Sequence, residues 1–420
     1  MRSASRTLFR FLPLWVFVFI FKIGAGMHYA LFTPLAERVL PLPIVGVLVA
    51  GAALGQLLLD VPAGLLLDRY GYVRLLRYTT ICFLLAGIVF GFGLSPWVLV
   101  VSLVISIGGW LFFDPGIAAY LLTHTPAGIA GRVMSFRDVV EAGGLLCSVV
   151  ALAWLLALPL PILGALLALL FSIALVALGF LPKETRPVPA GSALSTRHYF
   201  IRRRFVVAHL RSVLRRFNPA STMLLVSGFS STVFYGILWF VVPLMVARGT
   251  QSGIPSAGLA VFDIAVIVSG FFLGRLADRW NRGLLVLVGL FIFAVAGTML
   301  GFSLGVWFLL LGFLTTAGEE MASVALWAWL HQLDRDHTED AFVAGTVIMI
   351  RDMGWMVGPL LAGFLFGAVG PEWTIAVGAC FVFVAWGVAV GKLGTHHFRA
   401  LLRQPLAAIP TYPHRRRHKG

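Results

Sequence analysis

Eleven charged side chains stand inside otherwise apolar stretches: Lys22, Asp60, Asp114, Arg137, Asp138, Glu141, Asp263, Glu319, Glu320, Arg351 and Asp352. A charge in an apolar medium costs at least a few kcal/mol, so each needs a partner, water or a task. Lys22 lies among Phe17, Val18, Phe19, Ile20 and Phe21, too deep to reach water easily. It can neutralise a buried acid, Asp114 or Glu141, or it can meet the anionic group of a solute. Arg137 and Glu141 are four residues apart and so share a helix face. A carboxylate in such a network can also carry a proton, exchanging its basic partner as it titrates. The alternative for the whole set is structural, with Arg137 neutralising Asp114 and Glu141 to join neighbouring helices.

These charges must be positioned by elements that span an apolar solvent. Of 420 residues 60% are hydrophobic and 12% charged, against roughly 25% charged in a soluble domain. Mean hydropathy is +0.95. A soluble globular enzyme and a disordered chain are both excluded, and the bilayer is the solvent that remains. Twelve apolar segments are long enough to cross it: 11–33, 43–67, 75–94, 97–122, 132–157, 160–182, 219–247, 254–277, 284–304, 305–331, 342–368 and 372–394. The first reads as an uncleaved span. At 1.5 Å per residue, Asp114 and Glu141 lie about 12 and about 13 Å from the same membrane face. Glu320 and Arg351 lie about 17 and about 14 Å deep in the second half. Each half thus sets an acid on one span near a base on the next.

Of the 32 basic residues, 27 fall in the termini and alternate loops, and only Arg38 and Arg248 fall on the other side. The positive-inside rule then places both termini in the cytoplasm. This distribution explains the +15 net charge without nucleic acid. The organisation expected is a six-helix half (1–182), a basic cytoplasmic linker (183–218), a second six-helix half (219–394) and a basic cytoplasmic tail (395–420). The linker alternates apolar and basic residues, a pattern that suits the anionic cytoplasmic leaflet.

The halves echo each other. Gly64-Leu-Leu-Leu-Asp68-Arg69-Tyr-Gly71 closes the second span, and Gly274-Arg-Leu-Ala-Asp278-Arg279-Trp-Asn281 closes the eighth. Arg137-Asp138 recurs as Arg351-Asp352, and Asp114 has its echo in Glu320. Three echoes at nearly one offset mark a duplicated bundle, an architecture of transporters. The Gly-x-Leu-x-Asp-Arg-x-Gly string, with Asp60-x-Pro62 ahead of it, resembles the signature loop of the major facilitator superfamily. The resemblance covers nearly the whole chain. It implies an all-α membrane protein of twelve transmembrane helices in two six-helix repeats.

The resemblance also makes Gly64, Asp68, Arg69, Gly71, Arg74, Gly274, Asp278, Arg279 and Arg282 a latch on one access state. Gly71 suits a turn with positive φ, and Asn281 tolerates the same conformation. The fourth-span arginine linked to proton coupling in many members is missing here. Arg137 is its nearest substitute. The antiporter-type Gly-Pro string is missing from the fifth span and occurs in the eleventh as Gly354-x-x-x-Gly358-Pro359.

No nucleophile elbow, zinc helix or phosphate loop occurs, so neither an enzyme nor an ATP-driven pump is expected. No cofactor or metal is expected either. The expected function is secondary transport of a small solute by alternating access, driven by protons. The substrate and proton pathway is assigned to Lys22, Asp114, Arg137, Glu141, Glu319, Glu320, Arg351 and Asp352. Export of an amphipathic compound is favoured if Trp110, Tyr235, Trp239, Trp327 and Trp329 line a cavity; the alternative for most of them is packing in the core or against lipid. The alternatives are uptake of an organic anion through Lys22, and a sensor or scaffold that transports nothing. The location expected is the plasma (inner) membrane.

Overall fold

The computed structural model describes residues 11–125, 130–181, 219–249, 255–333 and 340–393. The linker and tail expected at 183–218 and 395–420 lie outside these residues. The described secondary structure is helical. The first half holds α1 (Leu12–Ala36), α2 (Leu42–Tyr70), α3 (Tyr72–Gly91), α4 (Pro96–His124), α5 (Ala130–Val150) and α6 (Leu160–Gly179), with a short turn at Leu152–Leu155 after α5. The second half holds α7 (Pro219–Ala247), α8 (Pro255–Arg279), α9 (Arg282–Gly301), α10 (Val306–Leu333) and a 54-residue stretch, Asp340–Leu393. Gly370 (φ 83°) breaks that stretch into α11 (340–369) and α12 (371–393). Each of the twelve expected spans therefore falls on helix.

Proline starts several of these helices, at Pro13, Pro43, Pro96 and Pro161, where its missing N–H has no intrahelical role. Among the described residues nine helices are long and apolar enough to cross a membrane, counting Asp340–Leu393 once. The two spans not in that count are α5 and α8. Arg132, Arg137, Asp138 and Glu141 stand in α5, and Gly258–Ser269 is the apolar run of α8 among the described residues.

Many large apolar side chains face outward. Trp97, Trp154, Trp307 and Trp373 are all exposed and all sit at the end of the bundle opposite Gly71, as an interfacial aromatic belt does. Inside, α2 of one half packs on α11 of the other, and α5 packs on α8. The first contact is backbone on backbone. A Cβ on Gly46 would come within 2.7 Å of the Pro359 carbonyl oxygen and 2.9 Å of Gly363 Cα. Small residues are what allow such an approach without a hydrophobic driving force between helices.

The signature turn and its echo differ. Gly71 has φ 87° and donates its N–H to Leu67 O at 3.0 Å, closing α2 as expected. Asn281 instead has φ −65° and ψ 115°, and its side chain accepts from Leu284 N at 3.3 Å. The expected left-handed turn is absent there: asparagine caps the N-terminus of α9, and that satisfies a helix donor at no backbone strain.

Candidate functional site

Helix α5 approaches α1 through Gly144. A Cβ at that position would lie 2.6 Å from the Phe19 carbonyl oxygen and 2.8 Å from Lys22 Cβ, so glycine is what lets the two helices meet here. One turn earlier on α5 is Glu141. The approach carries its Oε2 to 2.8 Å from Lys22 Nζ. Arg137, a further turn back, donates Nε to Glu141 Oε1 and Nη2 to Asp114 Oδ1, the latter at 2.6 Å. Asp114 on α4 closes the ring at 3.9 Å from Lys22.

Two bases and two acids thus alternate around a square drawn from three helices. Lys22 is also covered by aromatic faces, with Phe113 at 4.6 Å and Trp110 at 5.1 Å. The square is closed to solvent at three corners and open at one. The side chains of Lys22, Arg137 and Glu141 are 8%, 12% and 13% exposed, whereas Asp114 is 51% exposed.

The second half keeps the frame and changes the chemistry. A Cβ on Gly358 of α11 would lie 2.6 Å from the Val233 carbonyl oxygen and 2.9 Å from Gly236 Cα, the same kind of contact as at Gly144. Arg351 occupies the place of Arg137, but it forms no ion pair among the described residues. The nearby acids, Glu319 and Glu320 on α10, form none either. Asp352 follows Arg351 on α11. Arg351 and Glu319 line one cavity together with Ser227, Ser231, Ser323 and Trp327. Tyr235 donates its hydroxyl to Thr316 at 3.2 Å, one turn before Glu319 and Glu320. Asp263 on α8 is buried, and its Oδ2 has no hydrogen-bond partner.

The two sets face each other. Lys22 acts electrostatically on Asp263, Asp138 on Glu320, and Arg351 on Asp114. Toward the belt end, Tyr29 of α1 meets Trp239 of α7 and Trp355 of α11 edge to face, with centroids 5.8 and 6.3 Å apart. Beyond them Glu37, just past α1, pairs with Arg248, just past α7. The Arg248 guanidinium also sits 4.7 Å above the Phe366 ring. The halves are therefore joined at the end remote from Gly71.

Of the expected pathway residues, the structure gathers Lys22, Asp114, Arg137 and Glu141 into one network. It leaves Glu319, Glu320, Arg351 and Asp352 as a separate group across from it. On α1, His28 is buried, with Nε2 2.9 Å from Ser102 Oγ, which donates in turn to Ala86 O. Among the cavity aromatics, Trp110 covers Lys22, Trp239 meets Tyr29 and Trp327 lines the cavity, while the side chain of Trp329 lies outside the described residues. At the signature loop, Arg69 and Arg74 hold their guanidinium groups 5.4 and 5.8 Å from the Tyr70 ring. Arg282 begins α9. The surroundings of Gly64, Asp68, Gly274, Asp278 and Arg279 lie outside the described residues.

Glu37 and the three cavity serines carry no signal in the sequence strong enough to single them out. Ser227 and Ser231 do sit four apart on one helix face. Among the described residues no group of three or more His, Cys, Asp or Glu is arranged to hold a metal.

A description of the Major Facilitator Superfamily matches residues 14–338 and 224–405. No curated protein matches the chain in sequence. Among solved structures, the xylose transporter XylE from E. coli, in a partially occluded inward-open conformation, superposes with a TM-score of 0.65. It covers 90% of this chain and 97% of its own at 14% identity, a likeness of fold. The apolar helices, the duplicated frame and the family match over nearly the whole length lead to one conclusion: the chain is a multi-pass integral membrane protein of the Major Facilitator Superfamily, a transporter of a small solute and not an enzyme.

Proposed function

We propose that the chain exports an amphipathic solute by alternating access, driven by protons, with both termini cytoplasmic in the plasma (inner) membrane. The observation that carries the coupling is the unequal exposure of the four-charge square. Asp114 is the one corner that water reaches, and it is bonded to Arg137 in the buried part.

With both acids ionised, the square is neutral. A proton on Asp114 removes the acceptor charge from Arg137 Nη2 and leaves one net positive charge. It also removes the attraction that Arg351 exerts from the facing half. An interaction of about 1–2 kcal/mol across the cavity shifts a two-state balance roughly tenfold. Protonation at a water-reached carboxylate is thereby turned into movement of one half against the other.

Lys22 supports export of an amphipath over uptake of an anion. Its ammonium is held by Glu141 and covered by two rings, which leaves no open side for a solute's carboxylate. Orientation rests on the basic residues of the loops. Tags placed after Pro189 and at Gly420 should both stay unlabelled on intact cells.

The central experiment uses everted membrane vesicles and an amphipathic dye such as rhodamine B. Accumulation should follow an imposed proton gradient and should be lost in Asp114→Asn. Accumulation that survives an uncoupler removes the proton from the mechanism. A gradient that drives dye the other way reverses the direction. No movement of any solute, in a folded protein, favours a sensor.

A further inference from the structure

We infer that the cavity between α7, α10 and α11 is the subsite for a zwitterionic head group, with Glu319 receiving its cation and Arg351 its anion. This deepens the transport reading above and rests on it.

Glu319 and Arg351 line the same cavity, yet no ion pair joins them or ties either to another described group. Arg351 is exposed there and Glu319 half-buried, and opposite charges that face one small space normally pair. Arg137 and its two acids in the first half show that this scaffold permits it. The two side chains rise from separate, closely packed helices. The stem of Arg351 runs against α7, where a Cβ on Gly228 would stand 3.3 Å from Arg351 Cγ. Helix α10 is pinned on its other side. A Cβ on Gly318, the residue before Glu319, would stand 2.7 Å from both Gly289 O and Phe293 N of α9.

Two fixed poles of opposite sign select their ligand. A solute with one charge satisfies one pole and leaves the other without a partner, whereas a zwitterion satisfies both. The rest of the lining offers both polar and apolar contacts. Ser231 donates its hydroxyl to Gly228 O at 3.1 Å, which leaves its oxygen free to accept from an ammonium. Ser227 and Ser323 add two further hydroxyls, and Leu326 and Trp327 offer an apolar wall. The counterpart of Glu141 in this half is Trp355, 214 residues on, so no acid of the same helix face competes for Arg351.

The test is equilibrium binding to the purified full chain in detergent, with three probes of one shape. L-phenylalanine carries both charges, phenethylamine only the cation and 3-phenylpropanoate only the anion. 4-Aminobutyrate is added as a zwitterion with its charges further apart. At least one zwitterion should bind about tenfold tighter than either one-charge probe, and Glu319→Gln and Arg351→Gln should each abolish that margin. Equal or tighter binding of phenethylamine would reassign the cavity to cations, and of 3-phenylpropanoate to anions. Binding of neither zwitterion overturns the proposal. The comparison on the unmodified protein stands even if a variant does not fold. Because it uses no gradient, it separates this subsite from the coupling: a zwitterion that binds but is not driven by protons would sink the transport reading and leave the site intact.

Discussion

The two halves use one frame for opposite electrostatic ends. Gly144 sits on the Phe19 carbonyl and Gly358 on the Val233 carbonyl, each with 2.6 Å to a built Cβ, and the two glycines are 214 residues apart. The same interval relates Arg137 to Arg351, Glu141 to Trp355 and Lys22 to Gly236. In the first half the close approach delivers a lysine to a glutamate, and the arginine is saturated. In the second it delivers glycine to tryptophan, and the arginine keeps its charge for the cavity. A duplicated bundle can thus compensate its charges internally on one side and present them on the other without a change of backbone. The teaching is that an intramembrane arginine is paired or left facing the cavity according to what occupies the next turn of its helix.

The largest expected effect separates these roles. Glu141→Gln leaves Lys22 buried beside a neutral amide, and breaking a buried pair costs about 3–5 kcal/mol. Arg351→Gln removes a charge that attracts Asp114 and Glu319 only from beyond ion-pair distance, so its cost should be smaller, about 1 kcal/mol. Melting temperature in detergent reads both. Equal losses would erase the contrast between the halves. Lys22→Ala should behave like Glu141→Gln, losing stability along with transport.

A smaller effect tests the shared frame. Gly144→Ala and Gly358→Ala each push a methyl into a carbonyl oxygen, and overpacking of this kind costs about 1–3 kcal/mol. The two should be destabilised alike, since the contact is the same in both halves. If only Gly144→Ala suffers, the equivalence by packing fails.

The signature turns give the next contrast. Gly71→Ala must adopt positive φ and should lose about 1 kcal/mol, while Asn281→Gly, which keeps an acceptable cap, should lose only a few tenths. For transport, Asp68→Asn should be slower than Asp278→Asn at matched expression, because the first copy keeps its glycine turn. Equal rates would count against a latch confined to the first loop.

The smallest effect on stability belongs to Glu37→Gln. Its pair with Arg248 is partly exposed and worth about 0–1 kcal/mol. The pair nevertheless bridges the halves at the belt end, so its loss should favour opening there. A cysteine placed at Ala36 should label a few-fold faster with a membrane-impermeant maleimide in the variant. Unchanged labelling would show that Tyr29 and its tryptophan neighbours seal that end alone.

Much of this could be read from the chain alone. Apolar runs of about 20 residues fix the number of spans, because a backbone in lipid must satisfy its hydrogen bonds within the helix. Echoes such as Arg137-Asp138 and Arg351-Asp352 reveal the duplication, because equal spacing survives in sequence. The nearness of Asp114, Glu141 and Arg137 follows from counting rise per residue.

What the sequence leaves open is which charges touch. Lys22 and Arg351 both read as cations at mid-span; only packing makes one a buried partner and the other a cavity wall. Asn281 reads as a substitute for a glycine turn, and only the backbone assigns it to capping instead. Glu37 and Arg248 lie 211 residues apart, with no pattern to join them. Rise per residue sets depth along each helix, and so is written in the chain. Rotation about each helix axis and the approach of one helix to another are set by contacts such as Gly144 on Phe19, which exist only once the bundle has closed.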